Sequence, residues 1–235
     1  MNLFYAPGLQ ENSTTYVFDK DESRHIAKVL RKRVGDNLIL TNGKGGWFTA
    51  EITGDNPKKT QVKIIAVERK QEEKPLIHLA VAPTKSNERM EWFLEKATEI
   101  GIHRITPLIT EHSERRKINP ARYEKIVVSA MKQSLKAYKP VVEDLTNFKE
   151  FVSRDFDKAQ KFIAFCQAEI PLKNALKPVD EIVVITGPEG GFSPEEVELA
   201  KSKGFVPVSL SAHRLRTETA ALMAVATVHL CFPEK

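Results

Sequence analysis

Three glycines within five residues, Gly187, Gly190 and Gly191, mark the stretch of this sequence best suited to hold a ligand. They follow an apolar run at 181–186 that predicts a strand, and Pro188 stiffens the turn between them. Glycines let main-chain amides and carbonyls approach a ligand without a Cβ atom in the way. The stretch therefore predicts a loop that wraps a small molecule, against the alternative of an ordinary turn between a strand and a helix.

A helix-capping signal and a second polar loop strengthen this prediction. Ser193, Pro194 and Glu196 have the residue types of the N-cap, N1 and N3 positions, which fixes the start of a helix at 194–203. The polar loop 214–219 follows another predicted strand and leads into an apolar helix. In a parallel sheet both loops would leave the carboxyl edge, where open α/β sheets bind ligands. Neither loop matches a P-loop or GxGxxG, so the prediction is a nucleoside-like ligand gripped mainly by backbone groups.

The elements that must position these loops alternate between strands and helices after residue 75. Strands are predicted at 76–82, 104–109, 161–165, 182–186 and 206–210, and helices at 87–100, 119–138, 194–203 and 218–231. Short connections between alternating elements indicate a mostly parallel sheet with helices on both faces. The last helix is apolar nearly all round, so we expect it to be buried inside the chain or against a second subunit.

The first 70 residues have a different pattern, with short β signals at 14–18, 37–41, 47–53 and 61–68. A glycine-rich turn at 42–46 predicts a hairpin. One helix is predicted at 22–31, with Ile26, Val29 and Leu30 on its apolar face. Its other face is basic, which predicts phosphate contact against the alternative of a solvated surface. The polar, proline-terminated stretch 71–75 is the predicted linker.

Composition and charge narrow the classes of protein. No apolar run is long enough to span a bilayer and no signal peptide is evident, so a cytoplasmic protein without membrane contact is predicted. The two cysteines lack CxxC spacing and the histidines lack HExxH, so no metal site is predicted. Residues 74–140 carry 13 Lys and Arg against 7 Asp and Glu, whereas residues 141–235 carry 11 against 14. This asymmetry favours a polyanion partner, nucleic acid first.

The two C-terminal loops together also resemble a known family. Residues 187–192 followed by 215–220 are similar to the paired signature of the bacterial small-subunit rRNA uridine-N3 methyltransferases, the RsmE family of SPOUT methyltransferases. The resemblance covers essentially the whole chain. Its other motifs stand at His25, 29–31, 35–36, 95–101 and 133–134.

The resemblance implies a two-domain α/β protein. Residues 1–72 would form a small PUA-like RNA-binding β-barrel domain, and residues 73–235 a SPOUT domain with a mostly parallel sheet and a deep trefoil knot. It also implies a homodimer that uses S-adenosyl-L-methionine to methylate N3 of a uridine near the 3′ end of 16S rRNA, in the decoding region of the small ribosomal subunit. Two alternatives stay open: a SPOUT methyltransferase acting on tRNA or 23S rRNA, and a catalytically silent RNA-binding assembly factor.

The resemblance assigns residues to both loops. The implied cofactor-binding residues are Thr186, Gly187, Glu189, Gly190, Gly191, Leu210, Ser211, Leu215, Arg216, Thr217 and Ala220. Because uridine N3 carries a proton, we expect Arg216 to stabilise negative charge on the uracil oxygens or to orient the phosphate, and Glu189 or Glu218 to help remove or relay the proton. Glu218 has the alternative role of stabilising the first turn of its helix. The expected RNA contacts are Arg24, Lys28, Arg31, Lys32, Arg115 and Arg116.

Overall fold

The computed structural model describes residues 2–232. The chain divides into two compact units, and the second is interrupted by a short segment that belongs to the first. Met1–Glu72 and Met131–Lys139 make up the first unit, and Glu73–Ala130 and Pro140–Lys235 make up the second.

A five-stranded sheet in the order β1-β3-β4-β5-β2 builds the first unit. Its strands are β1 (Leu3–Tyr5), β2 (Thr15–Val17), β3 (Asn37–Thr41), β4 (Gly46–Gly54) and β5 (Gln61–Arg69). Strands β1 and β3 are parallel, and the other pairs are antiparallel. All of the strands contribute side chains to one apolar cluster, so the sheet curls around a single core. Strand β1 was not predicted, because three residues are too few for an alternating pattern to be recognised.

The helix of the first unit departs from its predicted form. Helix α1 (Lys20–Arg24) continues into a π-helical turn, His25–Val29, in which the Leu30 amide donates to the His25 carbonyl at 2.9 Å. Ile26 is buried as predicted, but the side chain of Val29 is 65% exposed. The assignment of Val29 to the apolar face is therefore wrong, because a turn closed by i to i+5 bonds shifts the side chains that follow it relative to an α-helical pattern.

The segment 131–139 is held to the first unit by hydrogen bonds. The Thr41 hydroxyl donates to the Ala137 carbonyl at 3.0 Å, and the Tyr138 hydroxyl donates to the Lys70 carbonyl at 3.1 Å. The segment begins at the end of a helix predicted to reach residue 138. That helix stops at Gln133, because Leu135 takes the left-handed conformation, with φ 57°.

A seven-stranded sheet builds the second unit, in the order β12-β10-β11-β6-β7-β8 with β9 also paired to β7. Every pair is parallel, which confirms the predicted class of sheet. The elements are β6 (Leu76–Val81), α2 (Asn87–Ile100), β7 (Arg104–Ile109), α3 (Pro120–Gln133), β8 (Val141–Val142), β9 (Thr146–Asn147), α4 (Phe148–Val152), β10 (Ala159–Ala164), α5 (Leu172–Ala175), β11 (Glu181–Thr186), α6 (Pro194–Ser202), β12 (Val206–Val208) and α7 (Thr217–Cys231).

The predicted elements and the observed ones differ mainly in length. Each of the five predicted strands and four predicted helices of this unit has an observed counterpart. Strands β8 and β9 and helices α4 and α5 were not predicted, because each has five residues or fewer and shows no clear period. The trefoil knot stays a prediction, since strand order and register do not determine whether a loop is threaded.

Helices cover both faces of the parallel sheet, as predicted. Leu79 and Val184 point to a core shared with α2, α3 and α7, while Val183 and Ile185 point to a second core shared with α4 and α6. Successive residues of a strand face opposite sides of a sheet, so the near-continuous apolar strands supply both cores.

Helix α7 is only partly buried within this chain. Ala221, Ala224, Val225 and Val228 have no exposed surface, whereas Met223 is 40% and Leu230 is 82% exposed. Only one side of the helix is therefore buried within this chain, because a helix that packs against one layer buries only the side that faces that layer. None of the helices between residues 2 and 232 is long and apolar enough to cross a membrane.

A buried polar network fastens strands β6 and β7 to the chain that follows β8. The Nε2 atom of His78, which is 3% exposed, lies 2.7 Å from the Thr106 hydroxyl, and that hydroxyl donates to Glu143 Oε2 at 2.7 Å. The Thr106 oxygen is then the acceptor for Nε2–H, so a neutral His78 carries its proton on Nε2. Arg104 and Arg154 also donate to the Glu143 carboxylate, at 2.7 and 2.6 Å.

Burial sets the protonation states of this network. Desolvation lowers the pKa of His78 to about 3 and outweighs the attraction of the Glu143 carboxylate. For Glu143 the largest effect, burial, favours the protonated form, but hydrogen bonds from Thr106, Arg104 and Arg154 together hold the pKa at about 2. Both shifts favour a neutral imidazole beside a charged carboxylate at neutral pH.

We expect the network to make the fold sensitive to acid through His78. An unfolded histidine takes up a proton below about pH 6.5, whereas folded His78 does not, so the free energy of unfolding falls as pH drops from 6.5 toward 3. Between pH 6.5 and 5.0 the loss should be about 2 kcal/mol. His78→Gln keeps a donor for Thr106 without a titrating ring, so it should remove most of this loss. Urea denaturation of both proteins at the two pH values measures it, and equal pH dependence would contradict the assignment.

Candidate functional site

Five loops meet at the carboxyl edge of the parallel sheet. They follow β6, β7, β10, β11 and β12, at residues 82–86, 110–117, 165–171, 187–193 and 209–216. Because every strand pair is parallel, the glycine loop after β11 and the polar loop after β12 leave the same edge, as the sequence predicted. Strand β10 lies between them in the sheet, so its loop and the loops after β6 and β7 join the same site.

The glycines of the first loop are required by its conformation and its packing. Gly191 has φ 74°, a left-handed conformation that side chains rarely adopt, and its amide donates to the Pro188 carbonyl at 2.9 Å. A Cβ atom added to Gly190 would lie 2.9 Å from the Cβ atom of His112, closer than real contacts allow. The loop after β7 therefore packs against backbone that only glycine provides.

The Glu196 carboxylate joins the glycine loop to the loop after β7. One oxygen accepts from the Ser193 amide at 3.0 Å, within a capping box in which the Ser193 hydroxyl accepts from the Glu196 amide. The other oxygen accepts from the Glu111 amide at 2.8 Å. Glu196 is 7% exposed, so the bridge is shielded from water. The sequence identified the capping box but gave no sign of the contact with Glu111, which lies 85 residues earlier in the chain.

The second loop contacts the first through an arginine that the sequence did not select. Arg214 Nη2 donates to the Glu189 carbonyl at 3.4 Å. The Lys85 amide, in the loop after β6, donates to Glu189 Oε1 at 3.4 Å. Glu189 is thus held from two sides, by loops that the chain separates by more than 100 residues.

Helix α7 starts directly at the site. Its N-cap is Arg216, whose side chain is exposed and makes no capping bond, so the first amides of the helix lack a side-chain acceptor. Thr217 and Glu218, which follow, are buried. One Glu218 oxygen lies 3.8 Å from Arg89 Nε, and the other, Oε2, is buried without a hydrogen-bond partner among the described residues.

The remaining predicted cofactor residues lie within these loops or in the elements next to them. Thr186 is buried at the end of β11 and its hydroxyl donates to the Ala80 carbonyl at 3.5 Å. Leu210, Leu215 and Ala220 are half-buried, whereas Ser211 is exposed and its hydroxyl accepts from the His213 amide at 3.1 Å. The structure thus brings the predicted residues of both loops to one edge of the sheet.

The basic loop after β7 contains two of the predicted RNA-contact residues, Arg115 and Arg116. Arg115 donates to the Lys85 carbonyl at 2.5 Å and to the side chain of Asn87. Arg116 is exposed and donates to the Glu111 carbonyl at 3.2 Å. Arg115 is therefore engaged in holding the loop, while the charge of Arg116 faces solvent.

Comparison with known proteins identifies the class to which this fold and site belong. Residues 71–229 match the family described as the RNA methyltransferase domain, and residues 18–65 match the RNA methyltransferase PUA domain. The parallel sheet with its loops and the preceding curled sheet are therefore those of an RNA methyltransferase with a PUA domain.

Individual relatives specify the family further. The ribosomal RNA small subunit methyltransferase E of Rickettsia conorii is 31% identical, over 97% of this chain and 94% of the relative. The chain belongs to the ribosomal RNA small subunit methyltransferase E family, which confirms the resemblance found in the sequence.

Two solved structures agree with this assignment. A probable rRNA-methyltransferase from Porphyromonas gingivalis has a TM-score of 0.90 and 42% identity, over 98% of both chains. The ribosomal RNA small subunit methyltransferase E of Neisseria gonorrhoeae, solved bound to S-adenosyl methionine, has a TM-score of 0.89 and 31% identity, over 98% of this chain and 97% of the other.

We expect Glu196 to be required for stability at this edge. Glu196→Ala removes two hydrogen bonds and leaves the Ser193 and Glu111 amides without their acceptor, so the free energy of unfolding should fall by about 2–3 kcal/mol. The matched control is Glu195→Ala, since Glu195 lies in the same helical turn and is exposed. Urea denaturation should show a change within about 0.5 kcal/mol for the control. Equal effects of the two substitutions would contradict the role of the bridge.

Proposed function

We propose that this protein is an S-adenosyl-L-methionine-dependent rRNA methyltransferase that methylates N3 of a uridine near the 3′ end of 16S rRNA, within the small ribosomal subunit. The observation that carries the proposal is the pair of loops, 187–193 and 209–216, at one edge of the sheet. The chain that contains them is similar over nearly its whole length to a ribosomal RNA small subunit methyltransferase E. The cofactor assignment is supported by the Neisseria gonorrhoeae relative, which binds S-adenosyl methionine. We place the reaction in the cytoplasm.

The proposed cofactor residues fit a ligand held largely by backbone groups. Gly190 and Gly191 keep the wall of the loop free of side chains, and Leu210 and Leu215 supply half-buried apolar surface. The other proposed cofactor residues are Thr186, Gly187, Glu189, Ser211, Arg216, Thr217 and Ala220. The bound cofactor would supply an electrophilic methyl group, and the chain has to align it with the uracil ring and exclude water.

The proposed chemistry moves one proton and one methyl group. The uridine N3–H proton passes to a carboxylate, a bond forms between N3 and the methyl carbon, and the carbon–sulfur bond breaks to leave a neutral thioether. Glu218 is the better acceptor, because its Oε2 is buried and has no hydrogen-bond partner between residues 2 and 232, whereas Glu189 Oε1 already accepts from the Lys85 amide. The exposed guanidinium of Arg216 would stabilise the charge that develops on the uracil oxygens.

We also propose separate roles for the two domains. Residues 1–72 would bind RNA, and residues 73–235 would bind the cofactor and carry out transfer. The proposed RNA contacts are Arg24, Lys28, Arg31, Lys32, Arg115 and Arg116. The first four lie within the matched RNA methyltransferase PUA domain, which supports their assignment, whereas Arg115 and Arg116 would extend the contact to the second domain.

A homodimer is proposed as the working form. The apolar side of α7 that this chain leaves open, with Met223 40% and Leu230 82% exposed, supports it. A mass corresponding to one chain in sedimentation equilibrium at micromolar concentration would contradict the homodimer.

Nucleoside mapping tests the proposed activity directly. The purified protein is incubated with S-adenosyl-L-methionine and small ribosomal subunits from a strain lacking the gene, and the digested rRNA is analysed by mass spectrometry. New N3-methyluridine near the 3′ end of 16S rRNA is the expected result. Methylation of tRNA or 23S rRNA alone would redirect the assignment to another RNA, and failure to bind the cofactor would favour a silent RNA-binding factor.

Replacement of Arg216 should separate catalysis from cofactor binding. Arg216→Ala removes the proposed charge stabilisation, so turnover should fall by a factor on the order of 10² to 10³. The affinity for S-adenosyl-L-methionine, measured by calorimetry, should change little, because in this proposal the side chain would contact the uracil and only the backbone would contact the cofactor. Near-normal methylation by the variant would rule out the catalytic role.

The two candidate proton acceptors can be compared with isosteric substitutions. Glu218→Gln should lower turnover about 10²-fold or more, as expected for loss of a general base, while Glu189→Gln should keep turnover within a few-fold of the parent. Thermal unfolding of both variants provides the control for a role of Glu218 in stabilising α7. If Glu218→Gln lowered the melting temperature without lowering single-turnover methylation, Glu218 would be a structural residue.

A further inference from the structure

The first unit contains a groove in which four of the six lining residues are cations. It lies between α1 and the loop that joins β4 to β5, and it encloses about 420 Å³. Its lining residues are Lys20, Arg24, Lys28, Asn56, Pro57 and Lys58. Sequence reasoning selected Arg24 and Lys28 on the helix, but nothing in the sequence indicated that Lys58, 30 residues later, lines the same groove.

Buried hydrogen bonds hold the two walls of the groove together. The Ser23 hydroxyl, in α1, accepts from the Thr60 amide at 2.8 Å and donates to the Phe18 carbonyl at 3.3 Å. Ser23 and Thr60 are both fully buried. The spacing between α1 and the β4–β5 loop is therefore set by the fold, and the groove is formed before a ligand arrives.

The tip of the β4–β5 loop is also fixed. Asn56 Oδ1 accepts from the Lys58 amide at 2.9 Å, and the Thr60 hydroxyl donates to the Asn56 carbonyl at 3.2 Å. The carboxamide of Asn56 thus keeps its oxygen on the loop, which leaves its amide nitrogen as a neutral donor toward the groove.

The groove cations differ from the nearby residues Lys32 and Arg33 in their ion pairs. Lys20, Arg24, Lys28 and Lys58 form no ion pair among the described residues, and no carboxylate lines the groove. In contrast, Lys32 lies 4.0 Å from Asp36 and Arg33 lies 3.8 Å from Asp55. Within the described part of the chain the four groove cations are therefore not neutralised by ion pairs, and their charges on facing walls reinforce one another.

We propose that this groove binds the sugar–phosphate backbone of RNA. Four unpaired cations and an amide donor in a concave channel match successive phosphates along a strand, and the lining offers no aromatic ring or carboxylate for reading bases. The inference rests on the proposed function and deepens it. It adds Lys20 and Lys58 to the RNA contacts and assigns Lys32 a weaker role, since Asp36 already balances its charge.

The test is the salt dependence of RNA binding by the intact protein. The probe is a fluorescein-labelled 20-nucleotide polyuridine, and affinity is measured by fluorescence anisotropy from 50 to 300 mM potassium chloride. The groove variant is Lys20→Ala with Lys58→Ala. The matched control is Lys44→Ala with Lys63→Ala, which removes the same charge from exposed lysines of the same unit outside the groove.

Each phosphate contact on a single strand contributes about 0.7 to the slope of log affinity against log salt. The groove variant should therefore lose about 1.4 from that slope and bind at least ~10-fold more weakly at 100 mM salt. The control should keep the parental slope. Equal losses in both variants, or an unchanged groove variant, would overturn the proposal. Polyglutamate of the same charge competing as well as RNA would also overturn it, since the groove would then accept any polyanion.

The result is separable from that for the proposed function. Cofactor binding and nucleoside mapping are measured on the same preparations, and neither uses the polyuridine probe. Loss of the salt slope in the groove variant alone, together with a parent that does not methylate 16S rRNA, would support the groove and reject the activity. Methylation of 16S rRNA by the parent, together with equal salt slopes for the parent and the groove variant, would support the activity and reject the groove.

Discussion

Parallel pairing of β11 with β6 and β10 is the constraint on which the candidate site depends. The register joins Val184 to Leu79 on one side and to Phe162 on the other, all of them buried, so a slip by one residue would turn apolar side chains from one core to the other. Since each strand of this sheet runs in the same direction, every loop that follows a strand begins at the same edge. Contacts between distant loops, such as the Glu196 carboxylate with the Glu111 amide, are possible only because this pairing is fixed.

The two ends of the strands serve different purposes. Near the start of β6 and β7, hydrogen bonds join the polar groups of His78, Thr106 and Glu143, which is the arrangement expected of a network that stabilises the fold. At the carboxyl edge, Glu218 has a buried oxygen without a partner and Arg216 leaves the start of α7 uncapped. Unsatisfied groups are costly in a folded protein unless a ligand completes them, so this contrast supports the location of the proposed reaction.

In the first unit, the groups that a ligand would complete are charges that lie close together. Ser23 is buried between α1 and Thr60, so the helix and the β4–β5 loop are joined by an interaction that excludes water. Around it, the cations Lys20 and Lys58 are brought close to Arg24 and Lys28 in a groove with no carboxylate among its lining residues. Like charges held together raise the energy of the free protein, and an RNA backbone would lower it.

Sequence by itself determined the elements with a long, regular pattern and the loops with unusual composition. The strand at 181–186, the helix at 87–100 and the glycine loop were all predicted, because period and glycine content depend only on neighbouring residues. Tertiary structure alone decided the π-helical turn that exposes Val29, the end of α3 before Leu135, the short elements β8, β9, α4 and α5, and the partial burial of α7. It also decided that Arg115 bonds to Lys85 in the loop after β6, that Glu196 reaches Glu111 and that Lys58 lines the groove with Arg24. The physical reason is that these features depend on contacts between residues far apart in the chain, which no local pattern records.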